Sequence, residues 1–209
     1  MKFETFRKQV QRVPVFSTTL LSTLTEKAGT LKVQLSGWKK KGLIVPLRKG
    51  LYVLNSEDRH IEPSRFYLAN QILIPSYVSL ESALSYHELI PEFVAGTTSV
   101  TVRKTCEFRN EFGGFFYHHL KPEAYGGFQS VQESEKISFL MAVPEKAIID
   151  FLYLNLGKFH PKDKSAFEAS YRFQNCEQLA PKKLAAYARS FGTKKLQGIL
   201  DLFMEVCVR

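Results

Sequence analysis

Long apolar runs and paired cysteines are scarce in this chain, and its first fifty residues hold few acidic side chains. The longest apolar stretches, such as Ala147-Ile148-Ile149, are broken within a few residues by charges such as Asp150. That is far short of the ~20 apolar residues a helix needs to span a bilayer. The start, Met1-Lys2-Phe3-Glu4-Thr5-Phe6-Arg7, has no apolar segment followed by small residues, so neither a secretory leader nor a membrane contact is expected. The three cysteines, Cys106, Cys176 and Cys207, are odd in number, and no CxxC or Cys/His pair stands at zinc-ligand spacing. They read as reduced, mostly buried thiols, which points to the cytoplasm.

The residues of a reaction centre are missing as well. There is no P-loop, no G-x-G-x-x-G and no G-x-S-x-G. A nucleotidyltransferase needs a Gly-Ser turn followed by a carboxylate pair for two metals, and no Gly-Ser dipeptide occurs. His118-His119 are neighbours in an extended segment, so their side chains are expected on opposite faces and only one can serve a given metal. Glu81, Glu92, Glu145 and Asp150 read as helix-end and packing partners. The expectation is therefore a non-enzyme without cofactor or metal. A metal-dependent nuclease of unfamiliar type is the enzymatic alternative, and cleavage of DNA by the pure protein would distinguish it.

What is present is enough apolar material for a real core: 44% of the 209 residues are hydrophobic and 23% charged. The charge is unevenly placed. Residues 1–50 hold eleven Lys and Arg against two acids, Glu4 and Glu26, which accounts for the whole net charge of +9. The remaining residues carry eighteen basic and eighteen acidic side chains. A surplus confined to one segment suggests a polyanionic partner for that segment alone.

The same segment reads as three helices and a hairpin. Phe3, Phe6 and Val10 recur at helical spacing over residues 2–12, and Pro14 ends that helix. Ser17 is expected to cap a short helix over 18–24 that buries Leu20, Leu21 and Leu24. After a loop at 25–29, Thr30 stands as the N-cap of a helix over 31–41, closed by Gly42 at C′. Residues 43–47 and 51–54, joined at Arg48-Lys49-Gly50, form a β-hairpin. Leu31, Leu35 and Trp38 share one face of the third helix, and Val33, Ser36, Gly37 and Lys40 share the opposite one, flanked by Lys32 and Lys41. Small residues at the centre with lysines around them suit entry into a DNA groove, and Arg48 and Lys49 at the hairpin tip suit its backbone. The reading is a winged helix-turn-helix over residues 1–56 that binds double-stranded DNA through Thr30, Lys32, Val33, Ser36, Gly37, Lys39, Lys40, Lys41, Arg48 and Lys49. The alternative is a winged helix used only as a protein-interaction scaffold. A salt-sensitive gel shift separates the two.

Residues 55–62 are polar and turn-like, a candidate linker. Beyond them, residues 57–209 read as a larger α+β domain, and the whole chain as α+β. Helices are expected from Pro63 to about residue 73 and over 80–89 with Ser79 as cap, with a short extended piece at Tyr77-Val78 between them. Extended segments follow at 99–103, around Phe108 and Phe112, and at 114–119, 128–132 and 137–142, which suggest an antiparallel sheet. Pro144 opens a helix to about residue 156. Helices at 163–174, 181–191 and 194–206 form a helical tail, the last capped by Thr193.

The string Tyr77-Val78-Ser79-Leu80-Glu81-Ser82-Ala83-Leu84, running on to Leu89-Ile90-Pro91-Glu92, resembles a characteristic segment of the AbiEi-type antitoxins, transcriptional regulators of viral defence systems. Lys41-Gly42-Leu43-Ile44 with Lys49-Gly50-Leu51-Tyr52-Val53 is similar to that family's wing pattern, and Pro144-Glu145-Lys146-Ala147-Ile148-Ile149-Asp150 to its helix start. The resemblance covers the chain to about residue 156. It implies an N-terminal winged helix that represses its own operon at inverted repeats, and a C-terminal domain that opposes a nucleotidyltransferase-like toxin in a type IV system. A stand-alone winged-helix regulator without a toxin partner is the alternative within this reading.

Overall fold

The computed structural model describes residues 2–23, 28–164, 167 and 171–208. The chain is α+β, with its helices and sheets laid out largely in the expected order. Helix α1 (Phe3–Val10) buries Phe6 and Val10, two residues one turn apart on its inner side. A two-residue strand, β1 (Phe16–Ser17), follows and was not foreseen. It leads into α2 (Thr18–Thr23), where the Ser17 hydroxyl accepts from the Leu20 amide at 3.1 Å, the capping role expected of it. Leu20 itself is 43 % exposed while Leu21 is buried. Successive residues of a helix point about 100° apart, so a helix this short turns only one of the two inward. Leu24, the third leucine expected to be buried there, lies outside the described residues.

Helix α3 (Ala28–Lys40) is already helical two residues before Thr30, so Thr30 is an interior position and not the N-cap. Neither Ala28 nor Gly29 interrupts the turn, and alanine is the best helix former. The other end is as expected. Gly42 has φ +68, its amide donates to Lys39 O at 3.0 Å, and the Leu43 amide donates to Trp38 O at 3.0 Å. Leu31, Leu35 and Trp38 are buried, with the Trp38 ring stacked on Phe6 at 4.6 Å between centroids.

Strands β2 (Ile44–Arg48) and β3 (Leu51–Leu54) form the hairpin, and β1 adds to it in the order β1-β3-β2, all antiparallel. Side chains alternate across a strand, and both faces of this hairpin are apolar. Ile44, Leu54 and Tyr52 pack on the three helices. Val45, Leu47, Leu51 and Val53 belong instead to the core of the larger part. The Asn110 amide donates to Leu47 O at 3.1 Å, and Arg48 Nε donates to Ile72 O at 2.6 Å. The candidate linker is tied down too. Arg7 pairs with Asp58 at 2.8 Å, and the His60 amide donates to Gln11 O at 2.8 Å.

The larger part begins at α4 (Arg65–Ile72), capped by Ser64 and so starting two residues after Pro63. Next come β4 (Tyr77–Val78), α5 (Leu80–Tyr86), β5 (Thr97–Thr101), β6 (Cys106–Asn110), β7 (Gly113–His119), β8 (Phe128–Ser134) and β9 (Ile137–Ala142). The six-stranded sheet has the order β6-β7-β5-β4-β9-β8. Antiparallel pairing holds for β6·β7, β4·β5 and β8·β9, while β5·β7 and β4·β9 run parallel. Helices α6 (Pro144–Leu154), α7 (Pro181–Phe191) and α8 (Lys194–Cys207) complete it, with Pro144 and Pro181 in their first turns and Thr193 capping the last. Of the expected helix at 163–174, Phe167 is helical and residues 163 and 164 are not. Residues 171–174 are not helical, and 165, 166 and 168–170 lie outside the described residues. Tyr171 and Phe173 set their rings edge-on to Phe151 at 5.3 and 5.9 Å, and packing in that aromatic cluster outweighs helical propensity.

Ser79 does not cap α5. Its hydroxyl turns inward and donates to Asp150 at 2.8 Å, and the Tyr77 hydroxyl donates to the same oxygen at 3.0 Å. Lys146, one turn earlier on α6, forms an ion pair with the other carboxylate oxygen. All four residues are buried. Burial pushes the Asp150 carboxyl up and the Lys146 ammonium down from their ordinary ranges, and the hydrogen bonds oppose both shifts. Glu145 accepts from the Ala180 amide at 3.2 Å, and Glu92 pairs with Arg172 at 2.7 Å, so these acids are packing partners as the sequence suggested.

Candidate nucleic-acid interface

Two stripes run along the exposed side of α3. Lys32, Ser36 and Lys39 recur at i, i+4 and i+7 and border a cleft of about 500 Å³ facing the hairpin. Its far wall is Lys49, Gly50 and Tyr52, and Thr18 lies at its end. Val33, Gly37 and Lys40, also at i, i+4 and i+7, form the outermost stripe, with Val33 73 % exposed. A helix with its side chains is about 10–12 Å across, close to the ~12 Å width of a B-DNA major groove.

Lys32, Lys39, Lys40, Lys41 and Lys49 are exposed, and none has an acidic partner among the described residues. Two of the three arginines of the same segment, Arg7 and Arg48, differ. Arg7 is held by Glu4 and Asp58. Arg48 spends its guanidinium on the backbone, with Nε on Ile72 O and Nη1 on Lys49 O at 3.2 Å. Of the two tip residues named from the sequence, Lys49 therefore faces the cleft, and Arg48 fastens the hairpin to α4.

Gly50 shapes the tip. It has φ +80, a conformation glycine adopts freely, and its carbonyl accepts from the Thr18 amide at 2.9 Å. A side-chain carbon there would stand 3.1 Å from the Thr18 hydroxyl. The turn is thereby held against the start of α2, next to the cleft.

Of the ten residues named from the sequence, Lys32, Ser36, Lys39 and Lys49 meet at the cleft, and Val33, Gly37 and Lys40 lie on the adjoining stripe. Lys41 sits just beyond the helix, lining a second, mixed-charge cleft of about 650 Å³ with Lys39, Arg59, Glu57 and Glu111. Thr30 is within α3, in its first turns as described. Sequence reasoning missed Thr18 and Tyr52 as wall residues. The signal was weak, because only the pairing of the two-residue β1 with β3 brings Thr18 to the hairpin tip.

Elsewhere, no three His, Cys, Asp or Glu side chains gather around a point that could hold a metal ion, among the described residues. His119 Nδ1 lies 3.0 Å from Arg103 O. Also among the described residues, no helix is long and apolar enough to cross a membrane. No protein-family model and no curated protein matches this chain.

Proposed function

We propose that the chain is a winged-helix DNA-binding protein. In this reading α3 is the recognition helix, the β2–β3 hairpin the wing, and its own operator the target. The observation that carries it is the fringe of five exposed lysines around α3 and the hairpin tip that have no acidic partner among the described residues, within a segment that holds the whole net charge. Cations at this density repel one another in the free protein and gain from a polyanion. Each neutralised phosphate contributes about −0.9 to the slope of log K against log salt, so five contacts correspond to a slope of about −4.5. Fluorescence anisotropy of the full chain with duplex DNA from its own upstream region, between 50 and 300 mM salt as a roughly sixfold range, tests this. A slope near zero overturns it and leaves the protein-interaction scaffold.

The second part of the proposal is that the chain is the repressor and antitoxin of a type IV pair opposing a nucleotidyltransferase-like toxin. Its support is the three-block resemblance to AbiEi-type antitoxins, together with a larger part whose equal numbers of acids and bases do not suit a phosphate backbone. Co-expression of the adjacent toxin with wild-type and Lys40→Ala chains, scored by growth, tests it. Rescue by both supports separate duties for the two parts, and rescue by neither leaves a stand-alone regulator.

A further inference from the structure

The outermost stripe of α3 is costly to the free protein at two places. Val33 presents an apolar side chain to water at 73 % exposure, the second most exposed of the large hydrophobics named among the described residues. Gly37, one turn on, is interior to a helix of 13 residues, where glycine is the poorest choice but proline. Nothing in the fold asks for that glycine. Its φ is not positive, and a side-chain carbon built on it meets nothing within 4 Å. Helix α3 would be firmer with alanine at 37 and better hydrated with a polar residue at 33.

Both features make sense against a surface that comes from outside. A bare helical position lets another backbone approach the helix axis closely, and an exposed branched apolar side chain beside it needs an apolar group to cover it. Lys32 and Lys39 lie along one flank and Lys41 just past the end of the helix, so the approaching surface is anionic. A DNA major groove combines the two, because its floor carries one apolar group, the C5-methyl of thymine, between rows of phosphates.

We infer that Val33 reads a thymine methyl in the major groove and that Gly37 is the point of closest approach between α3 and the duplex. The inference rests on the DNA-binding reading above and specifies which base chemistry the site selects. Lys40, the third residue of the stripe, lies beyond Gly37 on the same line and reaches the next base pair or its phosphate.

The test uses the full chain and a preferred duplex selected from a random pool, in which each thymine is replaced in turn by deoxyuridine, removing only the methyl. For the wild type, one or two of these replacements weaken binding roughly three- to fivefold, the value of burying one methyl group. The same replacements weaken Val33→Ala less than wild type, since its two γ-methyl groups are gone and only the Cβ methyl is left to meet the base. Gly37→Ala raises the melting temperature and weakens the selected duplex at least tenfold, while its binding to random duplex stays within about twofold. Equal sensitivity of wild type and Val33→Ala to deoxyuridine overturns the inference. So does a Gly37→Ala chain that binds the selected duplex like wild type, or a pool that yields no preferred sequence despite salt-dependent binding. Absence of any salt-dependent binding would instead strike the DNA-binding reading itself.

Discussion

The Ser79 hydroxyl donates to the Asp150 carboxylate at 2.8 Å, across 71 residues of chain. The bond joins the block Tyr77–Glu92 to the block Pro144–Asp150, and the Tyr77 hydroxyl and the Lys146 ammonium complete the cluster. The blocks are separate in sequence and continuous in space, at the seam between β4 and α6.

Removing one charge from that cluster strands the other. Asp150→Ala leaves the Lys146 ammonium buried without its carboxylate, with only the rings of Phe191 and Tyr77 facing it at 4.9 and 5.6 Å, a loss of about 3–5 kcal/mol. The double variant Lys146→Met/Asp150→Leu removes both charges at similar volume and regains most of that loss. Urea denaturation followed by circular dichroism measures both. A single variant as stable as the wild type would show that the pair does not matter to the fold.

Trp38→Ala should act on folding. Its ring stacks on Phe6 and meets Phe3 edge-on at 5.5 Å, so truncation opens a large cavity and costs about 3–5 kcal/mol. The expected result is a lower unfolding midpoint, with DNA affinity falling only as far as the folded population does. A normal midpoint combined with lost binding would make Trp38 a contact residue.

Adjacent residues at the hairpin tip should give opposite signatures. Arg48→Ala breaks the bond to Ile72 O and lowers the melting temperature, with little change in the salt slope of DNA binding. Lys49→Ala leaves melting unchanged and makes the slope about 0.9 less steep, one phosphate contact. Calorimetry and anisotropy on both variants decide it, and interchanged results would reverse the two roles.

Alkaline pH should weaken the fold through its thiols. Burial first, then the neighbouring Cys207 and Glu177, pushes the Cys176 thiol up to about 12, and burial pushes Cys207 up to about 11. An unfolded cysteine titrates near 8.5, so the unfolded chain loses these protons first. The stability they confer is whole below about pH 8.5 and is lost as pH rises through the folded values. Urea midpoints should fall from pH 8 upward, and Cys176→Ala should flatten the decline. An unchanged slope in that variant would remove Cys176 from the explanation.

The parts of the fold written in one-dimensional periodicity were legible. The buried line Leu31, Leu35 and Trp38, the Gly42 cap, the hairpin and the starts of α6, α7 and α8 all follow from spacing and end-cap chemistry. Features that depend on remote partners were not. Strand β1 is two residues long and has no period to read, and the short extended piece at Tyr77-Val78 shows nothing of its partners β5 and β9, yet these two strands fix the order of both sheets. Ser79 stands where a helix cap would stand, and a serine before a helix looks the same whether it faces an amide or a buried carboxylate. At the candidate interface the lysines and the outward stripe of α3 were readable from the sequence. The engagement of Arg48 by Ile72 O was not, because a cation at a hairpin tip shows no sign in the sequence of a carbonyl 24 positions later.

The hairpin's second apolar face has a consequence for anyone wishing to reprogram this protein. Val45, Leu47, Leu51 and Val53 lean on side chains that lie beyond residue 56. The first 56 residues are therefore no portable cassette, and moving them onto another carrier would leave an oily wall bare. Four buried aliphatic side chains at about 1.5–3 kcal/mol each are comparable to the whole stability of a small domain. On the DNA-binding reading proposed above, altered targets are better sought by recoding the outward stripe of α3 in place, since Val33, Gly37 and Lys40 belong to neither core and can be exchanged without disturbing the frame that holds them.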